Sequence, residues 1–184
     1  MGTADLIDVP WVELGKRAEA FRLIVDSLPP NFVAVETGTV RQSGNWIGDG
    51  QSTVVWDAAA RVLAGHVTTI DIDPVGAQIV DQLGLTHTTA ITADSLVTLR
   101  KLSCAADLLY LDAFDIDFAA PTAAQQHHLR EIAAAWHLMR PGSIVAVDDN
   151  LSHAGKGKLV GEFLAQRNAT EIHTGYVRVW RLNE

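Results

Sequence analysis

Four short apolar runs each end in a carboxylate: Phe32-Val33-Ala34-Val35-Glu36, Val67-Thr68-Thr69-Ile70-Asp71, Leu108-Leu109-Tyr110-Leu111-Asp112 and Ile144-Val145-Ala146-Val147-Asp148. Runs of β-branched and aliphatic residues of this length read as strands buried on both faces, the sign of a parallel sheet. Open α/β sheets take ligands at the carboxyl ends of their strands. A carboxylate at the rim of a core is costly unless something uses it. The chain therefore loads one edge of one sheet with hydrogen-bond acceptors, and the partners of those acceptors define its chemistry.

The first two acids suit a cofactor. Glu36 is followed by Thr37 and Gly38 in a glycine-containing loop, and Ser52 or Thr53 can cap the next helix. Glycine lets the backbone approach a ligand, and a helix amino end supplies N–H donors. Asp71 closes the next strand, where an acid of a doubly wound fold accepts ribose hydroxyls. Neither standard phosphate-binding fingerprint is present: no G-x-G-x-x-G follows the first strand, and Gly157-Lys158 is followed by Leu159 where a phosphate loop needs a hydroxyl. Read singly, Glu36 could cap a helix and Asp71 could serve a turn before Pro74.

The second pair suits an acceptor or a metal. Asp112 and the cluster Asp148-Asp149-Asn150 end neighbouring strands, and two carboxylates with an amide oxygen fit a hard cation such as magnesium. A metal-free contact between Asp112 and a substrate is equally open. His153, three residues past Asn150, is a candidate base because histidine titrates near neutrality, and a solvated loop histidine is the alternative. His127 and His128 lie in a predicted helix, where adjacent side chains diverge, so one buried and one exposed residue is expected rather than a metal site.

These residues need elements to hold them. Apolar spacing predicts a helix over 11–28, stopped by Pro29-Pro30. Strands are expected at 32–36, 67–72, 87–92, 106–112 and 143–148, with helices at 52–64, 74–83, 95–102, 122–139 and 156–167 between and after them. Pro74 suits a first helical turn and Gly84 a helix end. The tail, 170–173 and 176–182, reads as a closing strand pair. Alternating strands and helices predict an α/β fold: a doubly wound, mostly parallel seven-stranded sheet with helices on both faces. No repeat or linker divides the chain, so one domain over 1–184 is expected, with 1–28 as a helical cover. Trp46, in the loop 39–50, is placed to form an aromatic lid.

Composition narrows the partners. With 184 residues, 48% hydrophobic and 20% charged, the chain can bury a large core. A net charge of −8 disfavours binding along a phosphate backbone, so no nucleic acid is expected. Cys104 is the single cysteine, which gives no internal disulfide. The first thirty residues lack a basic start and apolar block, and no stretch reaches membrane-spanning length. A cytoplasmic protein without a membrane association is the expectation.

Val35-Glu36-Thr37-Gly38, Thr69-Ile70-Asp71-Ile72-Asp73-Pro74, Ala93-Asp94-Ser95, Leu111-Asp112 and Leu138-Met139-Arg140-Pro141-Gly142-Ser143, in that order, resemble the class I S-adenosylmethionine-dependent methyltransferases over roughly 30–182. The resemblance implies S-adenosyl-L-methionine as cofactor, with Glu36, Thr37 and Gly38 beside its methionine part. It implies Asp71 and Ile72 on the ribose, Asp94 and Ser95 beside the adenine, and Asp112 nearby; Ser52 and Thr53 would bring amides to the carboxylate. The loop before Ser52 carries an insertion of about ten residues. The acceptor end is similar to the metal-dependent catechol and caffeoyl-CoA O-methyltransferases, which implies Asp112, Asp149 and Asn150 as Mg2+ ligands. That family has a lysine three residues after the first acid, where this chain has Asp115; Asp112, Asp115 and His153 are thus the catalytic candidates.

The expected activity is O-methylation of a small-molecule or sugar-like acceptor. The acceptor cover must come from 1–28, 39–50 and 113–121 or from a second subunit, so a homodimer is one arrangement the sequence allows. A nucleotide- or NAD-using Rossmann enzyme and a non-catalytic cofactor-binding module are the alternatives.

Overall fold

Strands form where the apolar runs predict them. The computed structural model describes residues 2–48, 51–151 and 155–184. In chain order the elements are α1 (Ala18–Ser27), β1 (Val33–Thr37), α2 (Ser52–Leu63), β2 (His66–Asp71), α3 (Pro74–Leu83), β3 (Thr88–Thr92), α4 (Ser95–Leu99), β4 (Leu108–Leu111), α5 (Thr122–Ala135), β5 (Ile144–Val147), α6 (Lys158–Ala165), β6 (Ala169–His173) and β7 (Arg178–Leu182). Among the described residues they build a seven-stranded sheet in the order β3-β2-β1-β4-β5-β7-β6. The first five strands run parallel, and β7 pairs antiparallel with both β5 and β6. This is the doubly wound, mostly parallel sheet the alternation predicts, with the expected closing strand pair.

Strand periodicity sorts the core into two layers. Successive side chains of a strand point to opposite faces. Ala34, Leu108, Tyr110, Ile144 and Ala146 therefore face Phe21 and Ile24 of α1 and Val55, Trp56 and Ala59 of α2. Their neighbours Val35, Leu109, Leu111, Val145 and Val147 face Leu99 of α4, Ile132 and Ala135 of α5, and Val160 and Leu164 of α6. Each strand of the centre is buried on both sides, which is why its sequence shows no polar alternation.

Several boundaries depart from the sequence reading. The helix expected over 11–28 begins only at Ala18, because Gly15 is left-handed (φ +53°) and the chain passes through turns before it. The helix expected to 139 ends at Ala135 and tightens into a 3-10 turn, Trp136–Leu138. Ser52 and Thr53 open α2 without capping it. Pro74 and Gly84 behave as predicted, Pro74 in the first turn and Gly84 left-handed at the end of α3, and Asp73 adds a cap the sequence reading did not assign by accepting from the Val75 N–H. Among the described residues no helix is long and apolar enough to cross a membrane.

The strand order reverses between β1 and β4, the switch point where such sheets open a ligand crevice. Gly38 leaves β1 there with φ +85°, and a Cβ on it would lie 2.6 Å from the Asp112 carbonyl oxygen. The Asp112 N–H in turn donates to the Thr37 carbonyl at 2.8 Å. Only glycine allows this approach. Gly38→Ala combines left-handed strain with a backbone clash and should cost about 3 kcal/mol. Thermal melting should show a Tm lower by about 10 °C; a Tm within about 2 °C of wild type would refute this packing.

Candidate functional site

Glu36, next to last in β1, is fully buried, and its oxygens are taken by hydroxyls. Ser52 Oγ donates at 2.6 Å, Thr53 Oγ1 at 2.6 Å and Thr69 Oγ1 at 2.8 Å. Burial pushes the carboxyl up and these donors pull it back, leaving it at about 7. The sequence reading has Glu36, Ser52 and Thr53 as cofactor contacts. The structure gives their side chains to one another, so that β1, β2 and the start of α2 are tied at one point. Thr53 Oγ1 also accepts from the Val40 N–H at 3.1 Å, which anchors the glycine loop.

A second buried carboxylate, absent from the sequence reading, ties the other side. Glu131 of α5 receives Thr37 Oγ1 at 3.1 Å and Ser95 Oγ at 2.6 Å. His127 Nε2 lies 3.2 Å from the same carboxylate. Burial acts to raise Glu131, but His127, His128 and Ser95 outweigh it and hold the carboxyl below its usual range. Ser95 and Thr37 thus hold α4 and β1 against α5. The two histidines diverge as expected. His128 is fully buried, bonds the Ala124 carbonyl at 2.7 Å and is pushed down to about 4 by burial. His127 instead reaches a cleft and stacks on Phe114, ring centres 5.1 Å apart.

That cleft has a volume of about 280 Å³ and is lined by Ile70, Asp71, Ile72, Asp94, Ser95, Ala113, Phe114 and His127. It lies past the carboxyl ends of β2 and β4, beside the switch point. Asp71 Oδ2 accepts from the Thr39 N–H at 3.0 Å and Oδ1 from the Asp73 N–H at 2.9 Å. Each carboxylate oxygen retains a second lone pair, so Asp71 is oriented by backbone and still able to accept from a ligand. Asp94 caps α4 through Oδ1, to Val97 N–H at 2.9 Å. Ile72 is 75% exposed at the lip. Four predicted cofactor residues, Asp71, Ile72, Asp94 and Ser95, are therefore brought together.

The second acidic cluster is closed by basic side chains that the sequence reading did not assign. Asp148 is buried against Arg17, with Nε to Oδ2 at 2.6 Å. Asp112 and Asp149 converge as expected, but on Lys156, whose Nζ lies 2.6 Å from Asp112 Oδ1 and 2.8 Å from Asp149 Oδ2. Tyr176 donates its hydroxyl to Asp149 Oδ1. Burial acts to lower the Lys156 ammonium, but Asp112 and Asp149 overcome it and raise its pKa. Burial pushes the Asp112 carboxyl up, Lys156 opposes this, and Asp148 and Asp149 add to it.

Asn150, expected as a metal ligand, is turned away from the cluster. Its amide donates to the Val147 and Asp148 carbonyls at 2.8 and 3.1 Å and accepts from the Gly157 N–H at 2.9 Å. Asp115, a predicted base, has a side chain 80% exposed and paired with Arg41 at 3.2 Å. His153 lies outside the described residues. Trp46 packs on the α1–α2 side of the core, where with Arg17, Ser52 and Asp148 it lines a water-sized space of about 10 Å³. Among the described residues, no group of three or more His, Cys, Asp or Glu side chains is arranged to hold a metal.

Residues 46–150 match a family model described as a methyltransferase domain. Solved structures share the fold at low identity. NSun6 from Pyrococcus horikoshii with SFG is 14% identical with a TM-score of 0.68, covering 96% of this chain and 52% of that one. This chain thus spans about half that protein's length. An rRNA methylase from Streptococcus thermophilus is 14% identical with a TM-score of 0.59, covering 92% and 97%. The SAH-bound methyltransferase PaMTH1 from Podospora anserina is 14% identical with a TM-score of 0.63, covering 99% and 85%. No curated protein sequence matches.

Glu36 makes the structure's stability depend on pH. Its carboxyl sits at about 7 in the fold against 4.5 ordinarily. Between these values the folded chain keeps a proton that the unfolded chain releases, so stability falls as pH rises. The full effect is on the order of 3 kcal/mol. Urea unfolding from pH 4.5 to 7 should show this loss in wild type and a flatter profile in Glu36→Gln; parallel profiles would contradict the assignment.

Proposed function

The chain belongs to the methyltransferase domain family, and from that membership we propose that it transfers a methyl group from S-adenosylmethionine to an oxygen of a small polar acceptor. The observation that carries the reading is the cleft beside the switch point, with Asp71 fixed at its wall by two backbone N–H groups. Its size and lining suit a nucleoside: a carboxylate for ribose hydroxyls, Asp94 and Ser95 for a polar base edge, and Ile72 and Phe114 for its faces. Gly38, pressed on the Asp112 backbone where a Cβ would clash, brings the ends of β1 and β4 together, and we assign the methionine part to this junction. Bound there, S-adenosylmethionine supplies an electrophilic methyl carbon on a sulfonium.

The chain's own contribution is position and a proton acceptor. Asp112 stands where the cofactor crevice meets the acidic cluster. Lys156 holds its Oδ1, which leaves Oδ2 to take the acceptor hydroxyl proton. Asp115 is solvated beside Arg41, which makes it the weaker candidate; His153 stays a candidate from sequence. We take residues 1–184 as one methyltransferase domain whose N-terminal segment covers the acceptor side. The Arg17–Asp148 ion pair and the Arg17 bond to the Ile47 carbonyl at 2.9 Å support that cover; a second subunit could extend it.

The small-molecule acceptor rests on the net charge of −8, which opposes a nucleic-acid backbone. The likeness to catechol-type enzymes reaches as far as the convergence of Asp112 and Asp149. A magnesium ion does not fit the arrangement present, because the Lys156 ammonium lies between those carboxylates and the Asn150 amide is committed to backbone. A dehydrogenase reading is disfavoured by the missing G-x-G-x-x-G.

Calorimetry with S-adenosylhomocysteine tests the reading. Wild type should bind, and Asp71→Ala should weaken affinity by about tenfold or more, the value of a charge-assisted hydrogen bond. Asp71→Asn, which keeps one acceptor oxygen, should lie between them. No binding by wild type would overturn the proposal, and unchanged affinity in both variants would overturn the ribose assignment.

A further inference from the structure

One place between two carboxylates cannot hold both a lysine ammonium and a divalent ion. Lys156 is fully buried, and its Nζ meets Asp112 Oδ1 and Asp149 Oδ2 at 2.6 and 2.8 Å. Magnesium would need oxygens at about 2.0–2.1 Å, so an ion bridging the same two atoms would overlap the ammonium and be repelled by it. Around this point three carboxylates, Asp112, Asp148 and Asp149, face two cations, Lys156 and Arg17. The charge that a metal would bring is already largely supplied by side chains.

The loop after β5 is built to deliver this lysine. Lys156 stands between two glycines, and both pass close to the Asn150 side chain. A Cβ on Gly155 would lie 2.2 Å from Asn150 Oδ1, and one on Gly157 would lie 2.8 Å from it. The Gly157 N–H donates to that same oxygen at 2.9 Å, and Gln125 Nε2 donates to the Gly155 carbonyl at 3.1 Å. Asn150 is thus the post about which Gly155-Lys156-Gly157 turns, and the turn sends the lysine inward. The same residues that suggest a metal from sequence build its replacement.

We propose that Lys156 is the acceptor site's built-in cation: it fills the bridging position between Asp112 and Asp149, fixes the ends of β4 and β5 for the acceptor, and makes the site independent of divalent ions. Lys156 is a positioning residue, acting through the two carboxylates it joins. The inference rests on the methyltransferase reading for what the site is used for, but its test reads metal binding and not cofactor binding.

The test is a titration of Mn2+ into the full chain, followed by the paramagnetic resonance signal of the free ion. Wild type should leave Mn2+ free to about 1 mM, the weak end of protein sites for hard cations. Lys156→Met should free Asp112 Oδ1 and Asp149 Oδ2 from the ammonium and gain one site at least about tenfold tighter, and Lys156→Met combined with Asp149→Asn should lose it. One equivalent of Mn2+ bound by wild type below about 0.1 mM, and abolished by Asp149→Asn, would overturn the proposal. So would a Lys156→Met protein with a native near-ultraviolet spectrum that binds no more Mn2+ than wild type. Should Lys156→Met not fold, the wild-type arm still decides. S-adenosylhomocysteine calorimetry on the same samples separates the two proposals: lost cofactor binding with the expected Mn2+ result removes the function and leaves the cation.

Discussion

A carboxylate buried at a sheet edge must find a partner within the protein, and that constraint organises the structure around its crevice. Burying an unpaired charge costs far more than a marginally stable fold can bear. Glu36 meets three hydroxyls, and Glu131 meets two hydroxyls and His127. Asp148 meets Arg17, while Asp112 and Asp149 share Lys156. Most of these pairings join elements distant in sequence, so the chain's acids double as the ties of its loops.

The pairings also divide the edge by exposure. Glu36 and Glu131 are buried completely and shape the cradle from beneath. Asp71 differs because its partners are backbone N–H groups, of Thr39 and Asp73, which orient the carboxylate without covering it. The cleft therefore opens beside Asp71, and the acidic cluster lies across the switch point at Asp112. The cleft beside Asp71 and the clamped acidic cluster both lie at the carboxyl edge of the sheet, which runs from β2 across β1 to β4 and β5.

Much of this was legible in the sequence. The buried runs located β1, β2, β4 and β5 within a residue or two, because strands covered on both faces are apolar throughout. Pro74 and Gly84 marked α3 because helix-end chemistry is local. Asp71, Ile72, Asp94 and Ser95 line one cleft, since they stand at or just past the carboxyl ends of neighbouring strands β2 and β3. What sequence could not reveal were partners set by tertiary contact. Glu131 sits mid-helix with no local signature, and Arg17 lies 131 residues from Asp148. Lys156 had a signal in the glycines on either side of it, but Lys156 and Gly157 read as the start of the helix expected over 156–167, whereas α6 begins at Lys158 and Asn150 holds both glycines in the turn before it. The N-terminal helix began late because Gly15 interrupts a pattern that is otherwise periodic.

The central claim is that the open carboxylate at the end of β2 marks the cofactor crevice. A crystal structure of the chain grown with S-adenosylhomocysteine tests it most directly. The account predicts ribose hydroxyls on the Asp71 carboxylate, the adenine between Ile72 and Phe114, and the Lys156 bridge intact. Ligand density on the Trp46–Arg17 side of the sheet, with the cleft beside Asp71 filled only by solvent, would contradict it.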